Sequence, residues 1–210
     1  MTLHDSGVID LTQRLGVYLT NTLDAPANYE VQPSLFGIID SITNESRLAS
    51  KVKSEYPIMC VIGNPPYSGS SNNKGKWIQE LINDYKKGLN ERKINIDDDY
   101  IKFIRFAHHL IDKNGEGIFG YISNNSFIDG ITHRKMRESL LKSFDSIYII
   151  DLHGNARKKE TSPNGSRDQN VFDIMQGVSI NIFVKKRGKK ENELGKVYHL
   201  DLFGDREKKF

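Results

Sequence analysis

Asn64-Pro65-Pro66-Tyr67 is the stretch of this chain whose residue types could do chemistry. Two successive prolines fix φ and remove two backbone donors. The turn then presents carbonyl acceptors with no competing N–H. Asn64 adds a side-chain carbonyl oxygen, also an acceptor, and Tyr67 adds a flat aromatic face. Acceptors plus an aromatic plate suit a planar ligand with an exocyclic amino group. The amino group of adenine is a poor nucleophile, because its lone pair is delocalised into the ring. The Asn64 side chain and the Pro65 carbonyl could each take one amino hydrogen. That draws the nitrogen toward tetrahedral geometry and frees the lone pair, while Tyr67 stacks on the ring. No general base stands beside the motif, so the electrophile must be strong, and a sulfonium methyl serves. Such catalysis is placement and electrostatics rather than covalent chemistry. The bland alternative is a Pro-Pro turn that closes a strand edge.

The motif needs elements to hold it. Ile58 to Ile62 form a continuous apolar run ending at Gly63, which predicts a strand buried on both faces. Trp77, Ile78, Leu81, Ile82 and Tyr85 give a helical stripe, and residues 98–113 a second helix ended by a left-handed cap at Asn114-Gly115. Strands are expected over Ile118–Ile122, Ile147–Leu152 and Val178–Val184, with a further one around Val197, Tyr198 and Leu200. Thr132 is expected to cap a helix holding Met136, Leu140 and Leu141. Before residue 57 the pattern is weaker. It suggests a short strand at Val17-Tyr18-Leu19, mostly loop from Leu23 to Ile42, and a helix over 44–56 capped by Asn44. Strands alternating with helices predict a mostly parallel α/β sheet, with ligands beyond the strand ends, after residues 62, 122 and 152.

With those elements in place the sequence resembles a family, the amino-group DNA methyltransferases with an Asn-Pro-Pro-Tyr motif. The resemblance is to the methyltransferase region of large single-chain restriction–modification enzymes. It rests on Asn64 to Gly69, Asp98 to Phe106, Gly120 to Phe127, Met136 to Leu141, Asp151 to Asn155 and Asn170 to Ile174, and runs over roughly residues 12–187. It implies adenine-N6 methylation of double-stranded DNA with S-adenosylmethionine as cofactor, by base flipping, within a restriction–modification system. Catalytic roles fall on Asn64, Pro65, Pro66 and Tyr67. Phe172 resembles a second aromatic against the flipped base, which loses duplex stacking that an aromatic sandwich restores in part; a loop anchor is the other reading. Phe103 resembles the aromatic packed on the cofactor's adenine; a core Phe is the other reading. Asn21 and Thr22 fall where the family has a polar residue near the cofactor's adenine amine.

The family's glycine-rich cofactor loop and the acidic residue after its second strand have no counterpart here. Gly115, Gly117 and Gly120 spell G-x-G-x-x-G, but they follow a helix and precede a strand, the reverse of the nucleotide fingerprint. The expectation is a partial Rossmann-like methyltransferase fold with its N-terminal strands missing. Residues 1–56 read as a remnant of the cofactor half, 57–187 as the catalytic half and 188–210 as the start of a following segment. Activity would need a companion chain or domain carrying the glycine-rich loop. Two rivals stay open: a non-catalytic remnant or DNA-binding partner subunit, and a protein glutamine N-methyltransferase.

Composition sets the outer bounds. Of 210 residues 37% are apolar and 27% charged, so the chain can bury a core. The single cysteine, Cys60, excludes an internal disulfide framework, and no metal motif is present. The absence of a signal-like or membrane-length apolar run points to a cytoplasmic protein. Residues 1–60 hold four basic and seven acidic side chains and the rest 26 and 20, a bias that suits a polyanion. Arg157, Lys158 and Lys159, and also Lys185-Lys186-Arg187, could meet a DNA backbone or form solvated loops. Arg134, Lys135 and Arg137 open a helix and carry the same pair of readings. His108-His109 reads as a surface pair, and Asp97-Asp98-Asp99 as an acidic helix start.

Overall fold

The computed structural model describes residues 16–26, 37–67, 71–91, 96–190 and 192–210. Ser68, Gly69 and the loop expected over 27–36 lie outside them. The chain divides into two units, Met1–Asn21 with Pro26–Glu55, and Thr22–Ala25 with Tyr56–Phe210. In the first, helix α1 spans Gly37–Glu55. It starts seven residues before the expected cap. Asn44 therefore sits inside the helix, where its Oδ1 accepts from Arg47 rather than from a helix N–H. Residues 17–19 form no strand, and Val17 and Leu19 are exposed, so that apolar run is not a core signal.

The second unit is a five-stranded mixed α/β sheet in the order β1-β2-β4-β3-β5. Its strands are β1 (Cys60–Gly63), β2 (Gly117–Asn124), β3 (Ser146–Asp151), β4 (Val178–Lys185) and β5 (Lys196–Asp201). Its helices are α2 (Lys76–Lys86), α3 (Asp99–Asn114), α4 (Ser126–Asp129) and α5 (Arg134–Ser143). β1 pairs parallel with β2, and β3 parallel with β5. β4 runs antiparallel between β2 and β3. Four strands thus share one direction, as expected, while the one reversed strand makes half of the pairings antiparallel. Residues 196–201 are a strand of this same sheet.

The local chemistry explains the boundaries. Gly115 closes α3 at φ 84°, in the left-handed region that glycine enters without strain. A side chain at Gly117 would meet the Met59 carbonyl at 2.6 Å, so β2 can lie against the chain leading into β1 only with glycine there. Two of the three decoy glycines are thus cap and close approach, and the third, Gly120, lies inside β2. Thr132 does not cap α5. It lies in a short 3₁₀ turn, Ile131–His133, and His133 takes the cap position.

The connections from β1 to β2 and from β2 to β3 step the same way across the sheet. Right-handed crossovers in one direction place their helices on one face. Accordingly, residues of α2, α3 and α5 share one core cluster with Phe119, Tyr121, Ile147, Ile149 and Phe183. Phe119 and Phe183 stack at 4.2 Å between centroids, and Phe144 meets both edge-on. On the opposite face Ile150 and Ile180 pack against Leu152, Val171 and Val178 near the strand ends, while among the described residues the row before them is uncovered. Ile62, Ile182, Tyr148 and Tyr198 lie in one cross-strand row through Gly120, and all four are exposed, Ile62 at 82%. β1 is therefore not buried on both faces. Ile58 and Val61 of its apolar run pack against the core clusters while Met59 and Ile62 are exposed, and among the described residues only β2 pairs with it. No helix among the described residues is long and apolar enough to cross a membrane.

Candidate functional site

Asn64 to Tyr67 follow β1 at the end where β2 and β3 also finish. Pro65 is buried, Tyr67 half-buried and Asn64 exposed. Pro65 pins the turn while Asn64 faces outward. The Tyr67 hydroxyl donates to Asn64 Oδ1 at 2.8 Å and lies 3.4 Å from the Ile122 carbonyl. Burial pushes the Tyr67 phenol up to about 12, so it stays a donor at neutral pH. An amide oxygen has two lone pairs, and the bond to Tyr67 uses one. The other remains for an amine.

The segment after the motif is anchored from α3. Lys102 is fully buried, and its ammonium donates to Ser71 Oγ and the Asn73 carbonyl, each at 2.7 Å. Ser71 and Asn73 both donate to Asp99. The acidic triplet is therefore more than a solvated helix start, because Asp99 is buried inside this network.

Tyr67 borders a cavity of about 410 Å³, lined also by Asp98, Tyr100, Asn124, Ser126, His133, Asn155, Arg157, Lys158 and Gln176. The expected strand ends converge there. Asn124 ends β2, and Asn155 and Arg157 follow β3. Burial and the Arg137 charge hold His133 down at about 4, so its imidazole is neutral. Burial and the neighbouring carboxylates of Asp99 and Asp97 raise Asp98. The hydrogen-bonding side chains inside and the cations Arg157 and Lys158 suit a planar polar ring carrying phosphate. Lys158 also reaches Asp129 at 3.3 Å. Lys159 is not part of the lining; it sits in a turn at φ 50°.

Phe172 meets Tyr67 at 6.1 Å between centroids, tilted by 45°. It borders a second cavity of about 310 Å³. A base stacked between two rings needs about 7 Å between them, two van der Waals contacts. The pair must therefore turn toward parallel as well as part by about an ångström to admit one.

The remaining predicted residues are more scattered. Phe103 is half-buried and packs against both main apolar clusters. Leu23, next to Thr22, is buried in one of those clusters with Ile78, Phe106 and Leu110, which brings Thr22 to the Phe103 side. Asn21 is exposed, and its carbonyl accepts from Lys53. His108 is no surface residue. At 2% exposure it bonds Tyr85 and Asp112, and burial lowers its basicity. Arg134 pairs with Glu91, Lys135 with Glu138, and Arg137 donates to the Phe127 and Gly130 carbonyls. Lys185 to Arg187 stand at the wrong end of the sheet for the motif. β4 is antiparallel, so Lys185 pairs with Gly117 at the start of β2. Lys185 and Arg187 are held by Asp112 and Glu116.

The sequence reading gave no role to His153. Its ring nitrogens contact Glu160 and Asp201, both at 2.8 Å, and its face stacks on Phe203 at 3.8 Å. Burial alone would lower its basicity. The bonds to Glu160 and Asp201 and the charge of Asp151 outweigh burial and raise it. A folded-state value above the unfolded 6.5 means that this tie stabilises fully below about pH 6.5 and is lost as pH rises through the raised value. Thermal midpoints measured from pH 6 to 9 should therefore fall through that window, and His153→Gln should flatten the fall.

The described fold is thus an α/β sheet with one reversed strand, carrying a proline-fixed acceptor turn at its rim and a ring pair beside it. The chain belongs to the Eco57I restriction-modification methylase family, whose model matches residues 38–157. Among solved structures it is similar to the ATP-dependent Type ISP restriction-modification enzyme LlaBIII bound to DNA, at 29% identity and TM-score 0.75, over 91% of this chain and 13% of that one. It is similar also to DrdV in a DNA complex, at 30% identity and TM-score 0.68, over 89% and 18%. A third is a nuclease-deletion mutant of the Type ISP enzyme LlaGI with a DNA substrate mimic, at 29% and 0.66, over 81% and 17%. This chain thus spans less than a fifth of each of those enzymes. No curated protein matches it.

Proposed function

We propose that this chain is the target-base half of an adenine-N6 DNA methyltransferase of a restriction–modification system, working in the cytoplasm with S-adenosylmethionine. The observation that carries the reading is the Tyr67–Asn64 hydrogen bond at the rim of a polar cavity, with Phe172 facing the same ring. The flipped adenine enters between Tyr67 and Phe172. Asn64 Oδ1 and the Pro65 carbonyl accept its two amino hydrogens, and Pro66 keeps a competing N–H out of the turn. The bond from Tyr67 fixes which way the Asn64 oxygen points. The cofactor supplies an electrophilic methyl carbon. The adenine N6 bonds that carbon as the S–CH3 bond breaks with its electron pair left on sulfur as a neutral thioether, and N6 gives up one proton to solvent. Arg157, Lys158 and Lys159 meet the phosphates flanking the flipped base.

The residues present fit the base better than the cofactor. Phe103 and Thr22 offer at most a wall for the cofactor's adenine. Among the described residues no glycine-rich loop follows a strand and opens a helix, so the amino-acid and ribose parts have no holder. The strand order supports a place for one. A doubly wound sheet covers its second face only when strand order reverses, and ligands sit at that switch point. Strands added at the free edge of β1 would reverse the order and bring helices onto the row of Ile62, Ile182, Tyr148 and Tyr198. A companion chain or domain that supplies them would complete the cofactor pocket and cover the face.

The test is methyl transfer from labelled S-adenosylmethionine to unmodified duplex DNA, with methylated nucleosides identified by mass spectrometry. N6-methyladenine is expected when the chain is joined to the proposed companion and not from the chain alone. Product from the chain alone would overturn the companion. N4-methylcytosine would overturn the adenine assignment. A joined enzyme that binds no cofactor would leave the non-catalytic reading.

A further inference from the structure

The geometry points to Arg206 and Lys209 as positioning residues for the target base, acting through the loop that carries Phe172. This rests on the proposed role of Tyr67 and Phe172 and adds the parts that hold the second ring in place. Both residues lie beyond the span that the family model matches.

Residues 168–173 are fastened from two sides. On one side, Asn170 Nδ2 donates to the carbonyls of Gly154 and Gln176, at 3.1 and 2.6 Å, and its Oδ1 accepts from the Phe172 N–H at 2.8 Å. A side chain at Gly154 would lie 2.4 Å from the Asn170 Cα, so the two backbones touch. On the other side stands the segment after β5. Arg206 donates Nε to the Asn170 carbonyl at 2.8 Å and Nη2 to the Phe172 carbonyl at 3.1 Å and to Asp173 at 2.6 Å. Its own N–H bonds Gln169 Oε1, and the Gln169 N–H bonds the Gly204 carbonyl. Lys209 donates to the Leu152 and Gln169 carbonyls and to Asp168, at 2.6 to 2.8 Å.

Three donor bonds from Arg206 and Lys209 thus hold the carbonyls of Gln169, Asn170 and Phe172, and they come from more than thirty residues downstream. The planar fork of Arg206 fixes orientation as well as distance, because its donors cannot turn independently. With its backbone held, Phe172 can open the 6.1 Å gap to Tyr67 by moving its ring alone. Without the clamp the loop must be ordered by the incoming base, at a cost to binding.

The experiment uses the 210-residue chain and a short single-stranded DNA holding one 2-aminopurine, whose fluorescence is quenched by stacking. Phe172→Ala is expected to weaken probe binding about tenfold, the scale of one base–aromatic stack. Arg206→Ala should weaken it by a similar factor with Phe172 still present, and Arg206→Lys should recover part of the loss. Once the ring is gone its positioning no longer matters, so the double variant should bind no more weakly than Phe172→Ala. Wild-type affinity in Arg206→Ala, or additive losses in the double variant, would overturn the positioning role. If Phe172→Ala binds normally, or the wild type gives no quench, the base-stacking reading fails instead. Amide exchange at residues 170–173 then decides the clamp by itself: faster exchange in Arg206→Ala is expected, and unchanged protection refutes it.

Discussion

Under the proposed function, replacing Asn64 by alanine in the assembled enzyme should lower the single-turnover rate of methyl transfer about 10²–10³-fold, the scale of losing one preorganised partner of developing charge. The loss belongs to the chemical step. The amine begins with its lone pair in the ring, and the acceptors act most strongly as the nitrogen leaves that plane. Binding of the probe oligonucleotide should change little, because Tyr67 and Phe172 still stack. Asn64 is exposed, so the thermal midpoint should move by no more than a surface substitution moves it, about 0.5 kcal/mol or less. Asn64→Asp separates the contributions. It keeps an oxygen acceptor and should retain more activity than alanine. Tyr67→Phe keeps the stack and removes the hydroxyl that aims Asn64 Oδ1, so its loss should fall between wild type and Asn64→Ala. Rapid-quench measurement of labelled methyl on adenine checks all three. A rate for Asn64→Ala within a few-fold of wild type would end the acceptor mechanism.

Local signals carried most of what the sequence disclosed. A buried β-strand announces itself by an apolar run and a left-handed cap by Asn-Gly, and both hold at β2 and Gly115. The convergence of the turns after residues 62, 122 and 152 was legible because parallel strands align their ends. Strand direction was not. Nothing in Val178–Lys185 says that it runs opposite to its neighbours, and that reversal sends Lys185 to Arg187 away from the motif. Burial of a run is equally ambiguous. Ile58 to Ile62 look the same whether a second layer exists or not. The polar networks were invisible for a different reason. Lys102 with Asp99, and His153 with Glu160 and Asp201, join residues whose types are common on surfaces. Only the fold brings them together.

The larger effect on stability should come from Lys209, next to last in the chain. Its side chain and that of Asp168 are both 0% exposed and lie 2.8 Å apart. Asp168 has two other donors, Ser162 Oγ and the Gly204 N–H. Lys209→Met fills similar space but leaves a buried carboxylate without its counter-charge, a change that costs about 3–5 kcal/mol. In a domain of this size that lowers the thermal midpoint by about 10 °C. Adding Asp168→Asn should restore part of it, since a neutral amide is much cheaper to bury than an unpaired charge. Arg206→Ala, with a side chain 40% exposed, should cost far less in midpoint while freeing the same loop. Calorimetry on the single and double variants separates the two. An unchanged midpoint in Lys209→Met would mean that the end of the chain is not packed onto Asp168, and that the clamp behind Phe172 is held by Arg206 alone.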